Sequence, residues 1–339
     1  MEISTTRKNR PRSNPTPTGK RTTITEHDIF GIFEPLSRHA QLTTKQLVAF
    51  DRRYDSKTRN RLTDLFHEGG AWLERVSESL KFANALFIDE MYRLGPDAED
   101  MLAMRGILPA EPWVRAARIG GHSAMPSRII RLAHDHMASE IAIDIEIGAR
   151  AVPELRFVNH IEMIKATDFA QVQAHPLRIP VPPLAAAAKW IEPDAMFGLG
   201  NRFYAIETDR GSESIETIIK GKILAYREIV ARYVIDDHLG IDNLTVLFVT
   251  TNEKRQRNIM KLLQGIAKNQ RSIMFAFACR PDLAHFMRTT APTGRMFREP
   301  WKRVGFEDLL LGEARKSNAD PQSTAAPPQT DAPQNSMSQ

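Results

Sequence analysis

Two apolar runs on either side of an amphipathic segment place the strongest constraint on the fold of the C-terminal half. The runs are NLTVLFVTT and SIMFAFAC, and the segment between them is KRQRNIMKLLQGIAKN, which has helical spacing. Short uninterrupted apolar runs joined through a helix are typical of buried strands in a parallel or mixed sheet. Together with a helix from residue 129 and a strand at FYAIETD, the pattern predicts an α/β domain over residues 129–312.

The segment 22–105 has a different texture, with three helical patterns followed by two strand-like runs. Thr25 is the predicted N-cap of the first helix, LTTKQLVAF forms the second, and Ser56 is a plausible N-cap of the third, which ends at Gly69-Gly70. The runs AWLERVSE and NALFIDEMYRL then indicate a hairpin, and a further helix begins at Pro96. Three helices followed by a hairpin predict a winged helix. The Pro- and Gly-punctuated residues 106–128 are interpreted as a linker.

Positive charge is concentrated around the start of the third helix. Lys57, Arg59 and Arg61 lie in its first half, and Arg52 and Arg53 come just before it. A recognition helix contacts bases and phosphates with its N-terminal residues, so these residues predict binding to double-stranded DNA. The alternative is an ordinary solvated helix face. A net charge of +5 and a pI near 9.3 favour a polyanionic partner only mildly.

Both ends of the chain have compositions typical of disorder. Residues 1–21 contain six basic residues, one acid and three prolines, and they are predicted to form a disordered basic arm. That arm would either aid solubility or follow DNA phosphates. Residues 313–339 are rich in Ser, Gln, Pro and Ala and are predicted to be a disordered tail.

The single cysteine and the absence of long apolar runs bear on the compartment. Cys279 excludes a disulfide framework and a multi-cysteine zinc site, and its place at the end of SIMFAFAC favours a buried, inert thiol over a reactive one. No apolar stretch reaches the ~18 residues of a membrane span, and the N-terminus lacks the apolar segment of a signal peptide. The sequence therefore predicts a cytoplasmic protein with no membrane partner.

Three carboxylates surround the stretch EPDAMFGLGNRFYAIETDRG. Glu207 and Asp209 should share one face of a strand, with Thr208 on the other, and Asp194 precedes the hairpin that leads to them. If Asp194 pairs opposite, the three converge and need a cation, and Mg²⁺ or Mn²⁺ favours such oxygen ligands. Lys222, with Tyr226 one helical turn later, could also neutralise them.

The alternative to a metal site is an internal ion-pair network. It would join Glu207, Asp209 and Arg210 to Lys222. His134 and His136 are two residues apart on one helix and face different sides, so solvation or a core hydrogen bond is expected for each. The aromatic and basic residues of 295–303 could flank nucleic acid, but ordinary packing accounts for them equally well.

The stretches EPDAMF, FYAIETDRGSESIE and KGKILAY, with LTTKQL and SKTRNRLTDLFHEGG before them, resemble the replication-relaxation family of plasmid and mobile-element proteins. The resemblance covers about residues 22–310 and implies a winged helix followed by a PD-(D/E)XK nuclease-like domain.

This resemblance also implies roles for individual residues. Asp194 and Glu207 match the positions that bind Mg²⁺, and a lysine orients or activates the attacking water. A helical acid often joins them, and Glu140 is the best match, with Asp144 and Glu146 as rivals. This chain departs from the pattern at Asp209, which stands where the family pattern has its lysine. The resemblance therefore implies Lys222, or alternatively Lys220, as a substitute.

The leading interpretation is a DNA-binding protein of a mobile element that acts in replication initiation or DNA processing, with plasmid replication or mobilisation proteins as further partners. One alternative is an active Mg²⁺-dependent endonuclease or nickase with Asp194, Glu207 and Lys222 as catalytic residues. The other is a winged-helix transcriptional regulator whose α/β half is not catalytic.

Overall fold

The structure, a computed structural model, consists of an N-terminal group of helices with a small sheet and a larger α/β half. The residues that it describes are 15–51, 53–76, 89–109, 111, 113–120, 128–168, 173–183, 189–284 and 290–313. Across these ranges no helix combines the length and the apolar character that crossing a membrane requires.

The N-terminal half is mainly helical. A π-helical turn, Ile29–Phe33, connects its first two helices. Its elements in chain order are α1 (Glu26–Asp28), α2 (Glu34–Arg38), β1 (Leu42–Thr43), α3 (Thr44–Asp51), α4 (Asp55–His67), β2 (Leu73–Arg75), β3 (Met91–Leu94), α5 (Pro96–Met104) and α6 (Trp113–Ala117).

Two of the three predicted helix starts in this half are observed. Thr25 caps α1 through a capping box with Asp28, as predicted, and α5 begins at Pro96, also as predicted. The prediction that Ser56 caps α4 is wrong, because the helix begins one residue earlier, at Asp55. A carboxylate suits the positive end of the helix dipole, and Ser56 lies within the first turn.

The small sheet has the strand order β1-β3-β2, and both pairings are antiparallel. Leu62, Leu65 and Phe66 on the inner face of α4 are buried in the same core as Leu73 and Leu94 of the sheet. The hairpin between β2 and β3 is therefore present, while its tip at residues 77–88 lies outside the described residues.

The end of the predicted basic arm is bound to α4. The backbone N–H groups of Thr18, Gly19 and Lys20 donate to the carboxylate of Glu68 at 2.8, 3.2 and 3.2 Å, and the Lys20 ammonium lies 2.6 Å from Asp64. Residues 15–21 thus differ from the predicted disorder, because a carboxylate at the end of α4 fixes their backbone. Residues 1–14 lie outside the described part of the chain.

The predicted linker contains a packed helix. Trp113, Val114 and Ala117 of α6 are buried, and they belong to one apolar cluster with residues of both halves. Their spacing places all three on one helix face, a pattern that the neighbouring prolines and glycines obscure in the sequence. The described residues of 106–128 therefore join the two halves through a shared core.

The C-terminal half alternates helices and strands. A second π-helical turn, Ile215–Ile219, leads directly into its third helix. Its elements are α7 (Arg128–Arg150), β4 (Phe157–Asn159), α8 (His160–Lys165), β5 (Ile179–Pro180), β6 (Trp190–Ile191), β7 (Ala195–Leu199), β8 (Arg202–Asp209), α9 (Lys220–Ala231), α10 (Val234–Leu239), β9 (Thr245–Thr250), α11 (Glu253–Ile266), β10 (Ser272–Cys279), α12 (Arg295–Arg298) and β11 (Lys302–Val304).

A six-stranded mixed sheet forms the centre of this half in the described residues, with the order β11-β10-β9-β8-β7-β4. The pairs β8–β9 and β9–β10 are parallel, and the outer pairs are antiparallel. The prediction of an α/β fold with a mixed sheet is confirmed. Helix α7 packs on one face of β7 and β8, and α9 and α11 lie on the other face.

Candidate functional site

Glu207 of β8 lies at the centre of the candidate site and is 1% exposed. Its Oε1 accepts a hydrogen bond of 2.5 Å from the Tyr226 hydroxyl, and its Oε2 lies 2.9 Å from the Lys222 ammonium. Lys222 and Tyr226 are one turn apart on α9, so both reach the strand from the same helix face. Lys222, rather than the alternative Lys220, is the lysine that reaches Glu207.

Burial and neighbouring charges together raise the pKa of both Glu207 and Lys222. Loss of solvation raises the pKa of Glu207 to about 7, against the attraction of Lys222, while the nearby Asp194 raises it further. Burial lowers the pKa of Lys222, but the carboxylates of Glu207, Asp194 and Glu213 more than offset this and raise it overall. Lys222 is therefore a charged ammonium at neutral pH. It can position or polarise a ligand but cannot accept a proton.

Asp194, just before β7, is held by the strand next to it and by α7. Its Oδ2 accepts hydrogen bonds of 2.7 Å from both the backbone N–H and the hydroxyl of Thr208, and His134 Nε2 lies 3.4 Å away. Burial lowers the pKa of His134, but Asp194 and Asp135 outweigh it and raise that pKa to about 9. His134 is therefore a cation next to Asp194. The expected core hydrogen bond of His134 is present, to Thr208 at 2.9 Å.

Asp209 points to a different partner. It is 2% exposed, and Arg255 near the start of α11 donates hydrogen bonds to both of its oxygens, with Arg255 Nη2 2.9 Å from Oδ1. Glu207 and Asp209 do share the face of β8 opposite Thr208, as predicted. Asp209 is nevertheless neutralised separately, because Arg255 rather than Lys222 reaches it. Arg210 does not join these pairs, because it donates to the carbonyl oxygens of Leu283 and Ala284 at 3.1 Å.

The three helical acids on α7 are engaged elsewhere. Glu140 lies 3.3 Å from His136 Nε2 and 3.4 Å from the Gln46 side-chain amide. Asp144 accepts from three backbone N–H groups at the start of α12, between 2.6 and 2.9 Å. Glu146 forms ion pairs with arginines on both sides. The residue of α7 that does reach Asp194 is His134.

The residues present do not fit a resident divalent cation. Among the described ranges, no three His, Cys, Asp or Glu side chains are grouped so that they could hold one. Lys222 and Tyr226 also contact the two Glu207 oxygens, which are the ligands that Glu207 could offer to an ion. The carboxylates are instead neutralised by cations of the same chain, as in the alternative of an internal ion-pair network. The partners differ from that alternative, because Asp209 pairs with Arg255 and not with Lys222. Binding of Mg²⁺ or Mn²⁺ by Asp194, Glu207, Asp209 and Glu140 is an untested expectation from the sequence, and these contacts argue against it.

The predicted DNA-binding residues divide into two groups. Arg53 and Arg61 are bound to the fully buried Asp28, at 3.2 and 2.6 Å, and Arg53 also lies 2.6 Å from Asp51. Arg61 therefore holds α4 against α1, and Arg53 holds the residues just before α4 in the same way. Lys57, by contrast, is exposed and lies 5.6 Å from the centre of the Tyr54 ring.

Arg59 is also exposed, at 43%, and forms a surface ion pair with Asp55 one turn earlier on α4. It thus belongs with Lys57 among the cations that face solvent. Arg52 lies outside the described residues.

Sequence reasoning missed Arg255, and it named His134 without assigning it to the site. Arg255 could have been found, because Asp209 pairs with Thr250 across parallel strands and Arg255 follows Thr250 in the first turn of the next helix. His134 gave no comparable signal, because its partner Thr208 is 74 residues away.

The thiol of Cys279 is half-buried, and burial raises its pKa.

The fold and the site place this chain among mixed α/β proteins that carry buried, ion-paired carboxylates at the end of a central strand. A model of the replication-relaxation family matches residues 33–244, more than half of the 339-residue chain. The chain belongs to the replication-relaxation family, which confirms the resemblance seen in the sequence. Comparison with curated proteins gave no match, and comparison with solved structures gave none either. Family membership suggests a role in replication or processing of plasmid or mobile-element DNA, with partners related to DNA or its replication.

Proposed function

We propose that this protein binds double-stranded DNA of a plasmid or other mobile element through α4 and acts in replication initiation or DNA processing. The observation that carries the proposal is the solvent face of α4. Its first two turns present Lys57, Arg59 and Asn60 to solvent, with Tyr54, which is 78% exposed, just before them. Cations, an amide and an exposed aromatic ring at the start of a helix are the groups that contact phosphates and base edges.

The order of elements supports a winged-helix plan for this half. Strand β1 lies between α2 and α3, and β2 and β3 follow α4, so that β3 occupies the middle of the small sheet. Such a plan presents one helix to the major groove and a hairpin to the flanking backbone. Helix α4, which directly precedes the hairpin, is the helix that this plan would assign to the groove.

The ion pairs of α4 narrow the set of residues that would contact DNA. The pair between Arg59 and Asp55 is exposed and therefore weak, so Arg59 can exchange it for a phosphate. Arg53 and Arg61 neutralise buried Asp28, so their replacement would test folding rather than binding. Lys57 and Arg59 are thus the informative pair.

The test measures duplex binding by fluorescence anisotropy as a function of salt. The logarithm of the binding constant falls as the logarithm of salt concentration rises, and each lost phosphate contact makes this slope shallower by about 0.9. The double variant Lys57→Ala with Arg59→Ala should therefore make it shallower by about two. The control is Arg156→Ala with Lys165→Ala, two exposed cations near the β4 edge of the large sheet, which should leave the slope unchanged. Equal slopes for both double variants would contradict a role of α4 in binding.

Cleavage is the second candidate activity, and one contact favours it. Lys222 lies 2.9 Å from Glu207, and Asp194 lies beside the same strand, which supports a nuclease-like plan for the α/β half. The separate pairing of Asp209 with Arg255 argues against it. Incubation with supercoiled plasmid and Mg²⁺ or Mn²⁺ separates the two activities. Nicking that Lys222→Ala abolishes would support cleavage, whereas retardation without nicking would support binding alone.

A further inference from the structure

Helix α11 and the turn after it carry an unusual share of the molecule's charge. Residues 253–271 contain six basic residues and one acid, so their net charge of +5 equals that of the entire chain. The rest of the sequence has no net charge, because the basic excess of residues 1–21 is offset by an acidic excess elsewhere. This charge also lies beyond residue 244, where the match to the family ends.

The helix separates its charges by face. Ile259 and Leu263 are buried against the sheet, while Lys254, Arg257 and Lys261 are exposed. Positions three and four residues apart share a helix face, so the three cations form one stripe on the outer side. The remaining cation of the helix, Arg255, points inward to Asp209 and does not belong to the stripe.

The positive surface continues past the end of α11. Lys268 lies in the following turn and Arg271 lies just before β10, and both are exposed. The guanidinium of Arg271 lies 4.1 Å from the centre of the Phe306 ring, and that of Arg303 lies 6.0 Å from it. The side chains of Lys254, Arg257, Lys261, Lys268 and Arg271 are here called the α11 surface.

The cations of the α11 surface have few carboxylates near them. Elsewhere cations such as Arg61 and Arg255 face a carboxylate. On the stripe, Arg257 has only Glu253, at 3.4 Å and with both side chains more than two-thirds exposed. Within the described residues Lys254 and Lys261 make no hydrogen bond or ion pair. Like charges at this spacing repel one another, so a polyanion bound along the helix would relieve the repulsion.

We propose that the α11 surface is a second contact for the backbone of duplex DNA. This rests on the proposed function, since it adds a contact in the α/β half to the one at α4. The cations lie along one helix face, which suits a row of phosphates. Arg271 covers the ring of Phe306, so this ring is not free to stack on a base, and the proposed contact is to the DNA backbone. The N-terminal end of α11 adjoins Asp209, so DNA on this surface passes the end of β8 that bears the buried carboxylates.

The test compares Lys254→Ala with Lys261→Ala against the control pair Arg156→Ala with Lys165→Ala, using a duplex oligonucleotide and the full chain. The salt slope should fall by about two for the α11 variant, equally for unrelated duplex sequences, and not for the control pair. Lys254→Arg with Lys261→Arg should restore it, because charge and not shape makes the contact. Unchanged binding by the Ala variant, with an unchanged melting temperature, would overturn the proposal.

Three further outcomes separate this proposal from its alternatives. Duplex binding that depends on Lys57 and Arg59 but not on Lys254 and Lys261 would leave the proposed function standing and remove the second contact. No duplex binding by the wild type would remove both. Vesicles rich in phosphatidylserine provide the last arm: if the α11 variant lost vesicle binding but kept duplex binding, the surface would be a membrane contact and the proposal would be wrong.

Discussion

At the scale of residues, each carboxylate near the end of β8 has a cation from a different helix. The pairs are Glu207 with Lys222 of α9, Asp194 with His134 of α7, and Asp209 with Arg255 of α11. A carboxylate that loses solvation requires a compensating charge, and the nearby Asp194 adds to this requirement at Glu207. The chain supplies that compensation itself: two pairs join α9 and α11 to β8, and the third joins α7 to the residue just before β7.

Alternation along β8 predicted part of this arrangement. It placed Glu207 and Asp209 on one face and Thr208 on the other, because side chains of a strand alternate. It could not assign the cations, since each comes from an element whose position depends on the tertiary fold. Lys222 was the exception, because its helix follows β8 directly in the sequence.

The prediction at this scale concerns the effect of Mn²⁺ on the melting temperature. Because Lys222 already neutralises Glu207, millimolar Mn²⁺ should leave the melting temperature of the wild type unchanged, as for a ligand without a native-state site. Glu207→Gln should behave in the same way, and thermal melts of the two proteins measure both. A concentration-dependent rise in the wild type that Glu207→Gln loses would contradict this and establish a metal site.

At the scale of elements, residues 15–21 act as a strap across the end of α4. Hydrogen bonds from the Thr18 side chain and backbone lower the pKa of Glu68, so its carboxylate stays ionised and continues to accept them. Composition alone favoured disorder for this segment, because its prolines and cations cannot form a core. The segment is ordered by main-chain hydrogen bonds to one carboxylate, and hydropathy patterns do not register such bonds.

Removal of the strap should therefore cost stability. Deletion of residues 1–20 should lower the melting temperature by about 2–4 °C, the scale of losing one or two net hydrogen bonds in a chain of this size. Deletion of residues 1–14 is the matched control, because it removes no described contact. Differential scanning fluorimetry of both truncated proteins gives the comparison, and equal melting temperatures would show that the strap contributes nothing.

The elements of the α/β half were more predictable than those of the N-terminal half. Strands β9 and β10 and helix α11 have strong, uninterrupted periodicity, and their predicted limits agree with the structure within a few residues. Helix α6 was missed because it is short and surrounded by prolines and glycines. The two π-helical turns carry no distinctive pattern, since they insert one residue per turn into an otherwise helical sequence.

At the scale of the whole molecule, polar side chains buried between the halves join them. Arg38 of α2 lies 2.7 Å from Glu146 of α7, and both side chains are at most 4% exposed. His39 lies 3.2 Å from Ser139 close to this pair. Burial lowers the pKa of His39 well below its ordinary value, with a further contribution from Arg38, so the ring is neutral at this junction. Sequence reasoning could not find these contacts, because their partners are about one hundred residues apart.

The last prediction concerns the coupling of the halves through Arg38 and Glu146. Arg38→Met or Glu146→Gln alone should lower the unfolding free energy by about 1–3 kcal/mol, because each leaves a buried partner with one contact fewer. The loss is limited because Arg38 keeps Glu34 and Glu146 keeps Arg150. The double variant should lose less than the sum, with a coupling energy of about 0.5–3 kcal/mol in urea denaturation.

The surface pair Arg232 and Glu228 of the α/β half provides a matched double-mutant cycle as the control. Its coupling energy should be at most about 0.5 kcal/mol. If the halves form one cooperative unit, Arg38→Met should shift the whole urea transition, because a shared core and a buried ion pair both connect them. Two separate transitions in the single variant would show that this ion pair, rather than the apolar contacts around α6, holds the halves together. Strict additivity in the buried cycle would show that Arg38 and Glu146 stabilise the protein independently.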